Sequence, residues 1–325
     1  MIRIPAGRRL PLSPNAIRVE SEGGAILPFE VETWDPSGTS VVWVRMPTVA
    51  GGERLRIRWG GFAETSAAWS DASAVWGDEF LRVYHFAPDD IDSSRFGADI
   101  TSNDMAADGA GRIGGGYHYD GTAKAGQKVQ TGSSTVPGYC DFRNGFTISF
   151  WAKVDDSLAG KQCYVLANQF DVNSTDRLLE IIYNFGSADA ISLRALSMAP
   201  NVSFSDNQSA NYKQVSITRG DDGWHQYVWT HDGFTLTAYR DGVKLENGQH
   251  VPGALGGKCP ERTAVWTRFA CTLSNDPAFK GALDEYRVEK TVRSAAWIKA
   301  CYDNQAGGLV SVGDTVAPGM LLIVR

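Results

Sequence analysis

Phe146-Thr147-Ile148-Ser149-Phe150-Trp151-Ala152-Lys153 decides the fold of this chain. Phe146, Ile148, Phe150 and Ala152 alternate with Thr147, Ser149, Trp151 and Lys153. In a pleated strand, successive side chains point to opposite faces, so one set packs against a core and the other points away. Similar bursts rich in aromatic and β-branched residues follow at 162–168, 177–185, 190–196, 214–218, 224–231, 236–240 and 263–272. Asp241-Gly242, set between two of these bursts, reads as a hairpin turn because both residues tolerate positive φ. So many short strands require two packed sheets, and the expected class is all-β. Only residues 294–304 carry a helical pattern, with Ser294 as N-cap.

Upstream, residues 25–34 read as a strand that ends at Asp35-Pro36-Ser37-Gly38, and residues 40–47 as the next. Arg54-Leu55-Arg56-Ile57-Arg58-Trp59 alternates strictly, which makes a half-buried strand with a cationic outer face. That face is either simply solvated or a cradle for an acidic sugar or sulfate. Residues 64–80 lack alternation and read as a connector with one helical turn. Three parts follow: a small N-terminal β-domain (1–80), a large sandwich (81–305), and a tail (306–325) whose strands are expected to pair with the first domain.

The 325 residues are 43% hydrophobic and 21% charged, as in ordinary globular proteins, with a formal charge of -6. No basic stripe is present, which argues against a nucleic-acid partner. No apolar run is long enough to span a bilayer. The N-terminus, though basic, lacks an apolar signal-peptide core, so the chain reads as either cytoplasmic or a piece of an exported protein. Its five cysteines form no CxxC pair, which disfavours zinc; Cys259 and Cys271 flank one strand and are candidates for a disulfide.

Several stretches of the large domain resemble the LamG/concanavalin-like jelly-roll family. They are Val83-Tyr84-His85-Phe86, Gly114–Gly121, the strand from Phe146 to Lys153, Gly223-Trp224-His225-Gln226-Tyr227, Tyr239-Arg240-Asp241-Gly242 and Phe279–Val288. The resemblance implies a two-sheet jelly roll that binds a ligand. Residues 27–34 and 42–47 resemble a bacterial domain of unknown function that precedes LamG, in exported proteins and in ExbB/TolQ/MotA-fused envelope proteins. This implies a periplasmic or extracellular setting, with carbohydrate or an envelope protein as partner.

Catalysis is the minority expectation. Jelly rolls also host glycosidases and lyases, which need two carboxylates facing each other across the sugar. Adjacent strand residues such as Asp284 and Glu285 point to opposite faces. His85, His118, His225 and His231 are candidate lyase bases, although packing accounts better for His118 and His225. The family resemblance also implies a structural Ca2+ held by Asp92 and Asp284, with Asp99, Asn103 and Asp104 as alternatives; the competing reading is that these residues cap turns. For ligand binding, Tyr139, Tyr164, Tyr212 and Trp266 are candidate stacking rings, and the polar segment 197–213, with Asp206, a candidate recognition loop.

Overall fold

The computed structural model describes residues 1–48, 52–59, 70–86, 89–103, 107–108, 111–121, 129–131, 145–155, 163–169, 177–183, 189–196, 212–250, 266–270, 279–316 and 321–324. Two compact units emerge: Met1–Asp78 with Ala300–Arg325, and Glu79–Lys299.

In the first unit, β1 (Ile2–Ile4), β4 (Ser40–Val44) and β3 (Phe29–Thr33) form one sheet in that order. In the other, β2 (Ile17–Ser21) pairs with β5 (Leu55–Trp59), and β5 pairs with the tail strand Leu321–Val324. Leu55, Ile57 and Trp59 are buried while Arg58 faces solvent, as the alternation requires. Arg58 lies 3.3 Å from Glu20 on β2, so the cationic face carries its own counter-charge. The connector contains α1 (Ala72–Val75), whose first turn is capped by the Asp71 carboxylate accepting the Ala74 N–H.

The second unit contains β6 (Phe80–Tyr84), β7 (Ile100–Asn103), β8 (Ala107–Asp108), β9 (Gly116–Asp120), β10 (Val129–Thr131), β11 (Phe146–Val154), β12 (Cys163–Gln169), β13 (Arg177–Tyr183), β14 (Ala190–Leu196) and β15 (Tyr212–Thr218). β16 (His225–His231), β17 (Thr235–Arg240), β18 (Val243–Lys244), β19 (Gln249–His250), β20 (Trp266–Phe269) and β21 (Lys280–Glu289) complete it. The seven-stranded sheet runs β15-β14-β13-β12-β20-β10-β7. The nine-stranded sheet runs β18-β17-β16-β11-β21-β9-β8, with β19 beside β17 and β6 beside β21. Between them, Phe146, Ile148, Phe150 and Ala152 meet Val165, Ile181, Leu193, Val215 and Phe269 in one apolar core. The opening stretch therefore presents the face its alternation predicted. Helix α2 (Ala295–Ala306) follows β21, and its Ile298 packs on Val228 and Tyr239, on the face of the nine-stranded sheet away from that core.

Two departures from regular pairing matter. First, the β11–β21 register shifts between Ser149 and Trp151, so Phe150 faces both Glu285 and Tyr286. Glu285 adopts φ +52° at this bulge. Leu283 and Tyr286 both enter the core, and neither Asp284 nor Glu285 belongs to it. Strict alternation put those two carboxylates on opposite faces; the extra residue removes that separation. Second, β15 is an edge strand whose carbonyls accept side-chain donors from the other sheet. Trp229 Nε1 donates to Val215 O at 3.0 Å and Arg240 Nη1 to Thr218 O at 2.8 Å. Asn247 Nδ2 donates to Ser216 O.

Candidate binding face

Away from the core, the seven-stranded sheet carries a row set by strand register. Arg268 on β20 pairs with Ala167 on β12, which pairs with Glu180 on β13, then Arg194 on β14 and Gln214 on β15. The next row brings Tyr164, Ile182, Ser192 and Ser216 together. On one face, partners across adjacent strands stand about 5 Å apart, close enough to touch. Arg194 Nη1 lies 3.1 Å from Glu180 Oε2, and Glu180 is 1% exposed. A buried carboxylate beside a guanidinium holds that guanidinium in place. Gln214 Nε2 reaches Ser192 Oγ at 3.3 Å and Ser216 Oγ at 3.2 Å, and the two hydroxyls are 2.8 Å apart. Arg194, Gln214 and Ser216 keep partial exposure at the β14–β15 side. The result is a pre-positioned set of charged, amide and hydroxyl groups, suited to a ligand rich in hydroxyls.

Three of the aromatic candidates sit on this sheet: Tyr164 on β12, Tyr212 opening β15 two residues before Gln214, and Trp266 opening β20 two residues before Arg268. Tyr164 is buried, at 7% exposure, so it backs the face and does not offer an open stacking ring. Tyr139 and Asp206 lie outside the described residues, as do Cys140, Cys259, Cys271 and Asp104. The alternation of residues 190–196 and 214–218 hinted that Ser192, Arg194, Gln214 and Ser216 leave the core. Their assembly with Glu180 depends on pairing between distant strands, and no local pattern carries it.

Asp92 is buried, and its carboxylate accepts N–H groups from Val83 at 3.0 Å, Ser94 at 2.9 Å and Ala98 at 3.0 Å. Asp284 Oδ2 accepts the Ile113 N–H at 2.7 Å. Asp99 Oδ1 accepts the Asp92 N–H. Burial outweighs these hydrogen bonds and pushes the Asp92 carboxyl up. Both carboxylates thus cap backbone N–H groups.

Glu285, buried at the bulge, lies 2.7 Å from His85 Nδ1 and also contacts Arg287. Burial pushes its carboxyl up, but the charges of His85 and Arg287 and their hydrogen bonds win and hold it below its ordinary range. The remaining histidines divide. His231 is buried against Phe146 at 5.7 Å. His118 is exposed, contrary to the packed position expected for it. His225, also expected in the core, sits partly exposed between Asp241 at 2.7 Å and Asp221 at 3.0 Å, because it opens a strand beside two turns rich in aspartate. Burial pushes the Cys163 thiol up to about 12, which keeps it un-ionised and unreactive in the core.

A two-sheet sandwich with a polar outer row is the class these features define. The sequence profile of the concanavalin A-like lectin/glucanases superfamily, in its laminin-G form, matches residues 120–299, and the chain belongs to that superfamily. No curated protein matches it. Among solved structures, the binding domain of botulinum neurotoxin DC, in complex with rat synaptotagmin II, is similar at 10% identity and TM-score 0.54, over 70% of this chain and 52% of that one. The serotype G neurotoxin binding domain is similar at 12% identity and TM-score 0.50, over 73% and 55%. This chain thus spans about half of those domains. Domain 4 of AbnA, an extracellular arabinanase from Geobacillus stearothermophilus solved with arabinotriose, is similar at 17% identity and TM-score 0.49, over 70% and 98%. Among the described residues, no helix is long and apolar enough to cross a membrane.

Proposed function

We propose that the chain is a non-catalytic carbohydrate-binding module of an exported bacterial protein, with its ligand on the outer face of the seven-stranded sheet. The observation that carries this reading is the row Glu180–Arg194–Gln214 with Ser192 and Ser216, held across three adjacent strands and partly open at β14–β15. Membership of a superfamily of lectins and glucanases supports a saccharide ligand. Within this reading the buried carboxylates have other duties: Glu180 orients Arg194, and Asp92 and Asp284 organise backbone.

Glycan-array screening of the full chain, followed by calorimetry, tests the proposal. At least one saccharide is expected to bind, and Arg194→Ala is expected to weaken it about tenfold, the loss of one charge-assisted hydrogen bond. Circular dichroism controls for folding. An empty array, or binding indifferent to Arg194→Ala, would overturn the assignment. Recovery of a protein partner from cell envelopes alongside an empty array would favour a docking domain.

A further inference from the structure

Trp297, in the first turn of α2, is 43% exposed. The Arg293 guanidinium stands 4.1 Å from its ring centroid, and 5.3 Å from that of Phe80 on the other strand end. Arg293 is itself clamped: its Nε contacts buried Glu289, and its Nη2 lies 3.5 Å from Glu79 Oε1. A cation held over an indole face stabilises that ring orientation through the ring's quadrupole. The Trp297 N–H is capped by Ser294 Oγ at 3.2 Å, which secures the backbone beneath the ring.

An exposed tryptophan held this way is a prepared surface. Arg293 and Ser294, which touch it, are polar, as are the Glu289 and Glu79 that hold Arg293. One ring makes far less apolar area than a protein partner needs. A ligand with one apolar face and a rim of hydroxyls matches both the ring and its polar border. We propose that Trp297 is a stacking platform for a single pyranose or furanose ring, a second saccharide contact distinct from the seven-stranded face. The inference rests on the carbohydrate-binding reading. Trp297 Nε1 and the Arg293 donors would meet the ligand's hydroxyls, while its C–H face lies on the indole.

The test follows the Trp297 indole N–H cross-peak in 15N-labelled full chain, identified by its absence in Trp297→Ala. Cellobiose, maltotriose, xylotriose, arabinotriose and N-acetylglucosamine serve as probes. Saturable movement of this peak by at least one probe is expected, with affinity about tenfold weaker in Trp297→Ala and largely retained in Trp297→Phe. Arg293→Lys, which keeps the charge but not the planar stack, is expected to weaken binding less than Trp297→Ala. The peak should still move in Arg194→Ala. A probe that binds through Arg194 while this peak stays still, or while Trp297→Ala binds normally, overturns the platform and leaves the first site standing. Failure of every probe to bind overturns both.

Discussion

Replacing Asp92 separates its role as an acceptor from its charge. In Asp92→Ala three N–H groups, those of Val83, Ser94 and Ala98, lose their acceptor in a buried setting. Each stranded donor costs about 1–3 kcal/mol, and partial entry of water brings the sum to about 3–6 kcal/mol. That is a large part of the roughly 5–15 kcal/mol that holds a domain folded. Asp92→Asn is predicted to be milder. Val83 and Ser94 both bond Oδ1, which the amide oxygen replaces, whereas Ala98 bonds Oδ2 and would then face an NH2 group. One lost bond costs about 1–3 kcal/mol. Urea unfolding gives the order wild type, Asn, Ala; hydrogen exchange gives the location, with the Ala98 amide exposed in both variants and those of Val83 and Ser94 only in Asp92→Ala. An alanine variant within about 0.5 kcal/mol of wild type, the range of an ordinary surface change, would refute the reasoning. Equal exchange at all three amides in the two variants would do the same.

Burial pushes the Glu289 carboxyl from its ordinary 4.5 up to about 7, with Arg293 and Arg287 opposing and Glu79 adding to the rise. The folded state thus holds a proton that the unfolded state releases. This contribution to stability is complete below pH 4.5 and lost as pH rises through 7. Unfolding free energy should fall by at most about 1.4 kcal/mol per pH unit across that window, and Glu289→Gln should flatten the slope in denaturant titrations at stepped pH. Gly281, at φ +144°, would place an added Cβ 2.2 Å from Lys153 O. Gly281→Ala therefore strains β21 against β11 and should cost about 3 kcal/mol or more, read as a lowered urea midpoint.

Sequence and structure agree where a residue's position depends on its near neighbours. Phe146–Val154 alternates in sequence and sends Phe146, Ile148, Phe150 and Ala152 into the core, since period 2 is a local property of the strand; the burial of Thr147 and Trp151 on its other face is not local and has no such signal. Asp241-Gly242 turns where two consecutive residues accept positive φ. Glu285 shows the limit. A glutamate seldom adopts φ +52°, and nothing beside it in sequence marks the bulge. Its partners His85, 200 positions away, and Arg287, two positions on, offset the cost of that conformation. The candidate face has the same origin. Leu178-Leu179-Glu180-Ile181-Ile182 reads as an apolar strand with one stray carboxylate, until β14 supplies Arg194 opposite it. Trp297 carries no sequence signal because a tryptophan in a short helix ordinarily belongs to the core, and only the fold leaves it exposed.

The donors that Arg240 and Asn247 send to β15 bear on how copies of this fold behave at close quarters. A bare edge strand is a template onto which another chain can crystallise its own backbone. Here the Ser216 and Thr218 carbonyls, two residues apart and so aimed at the same edge, already hold the Asn247 amide and the Arg240 guanidinium. A foreign strand would have to evict these donors before it gained a bond of its own. Modules strung along one polypeptide, or crowded on a surface, can then jostle without fusing along this side, and Arg240→Ala would loosen the lock.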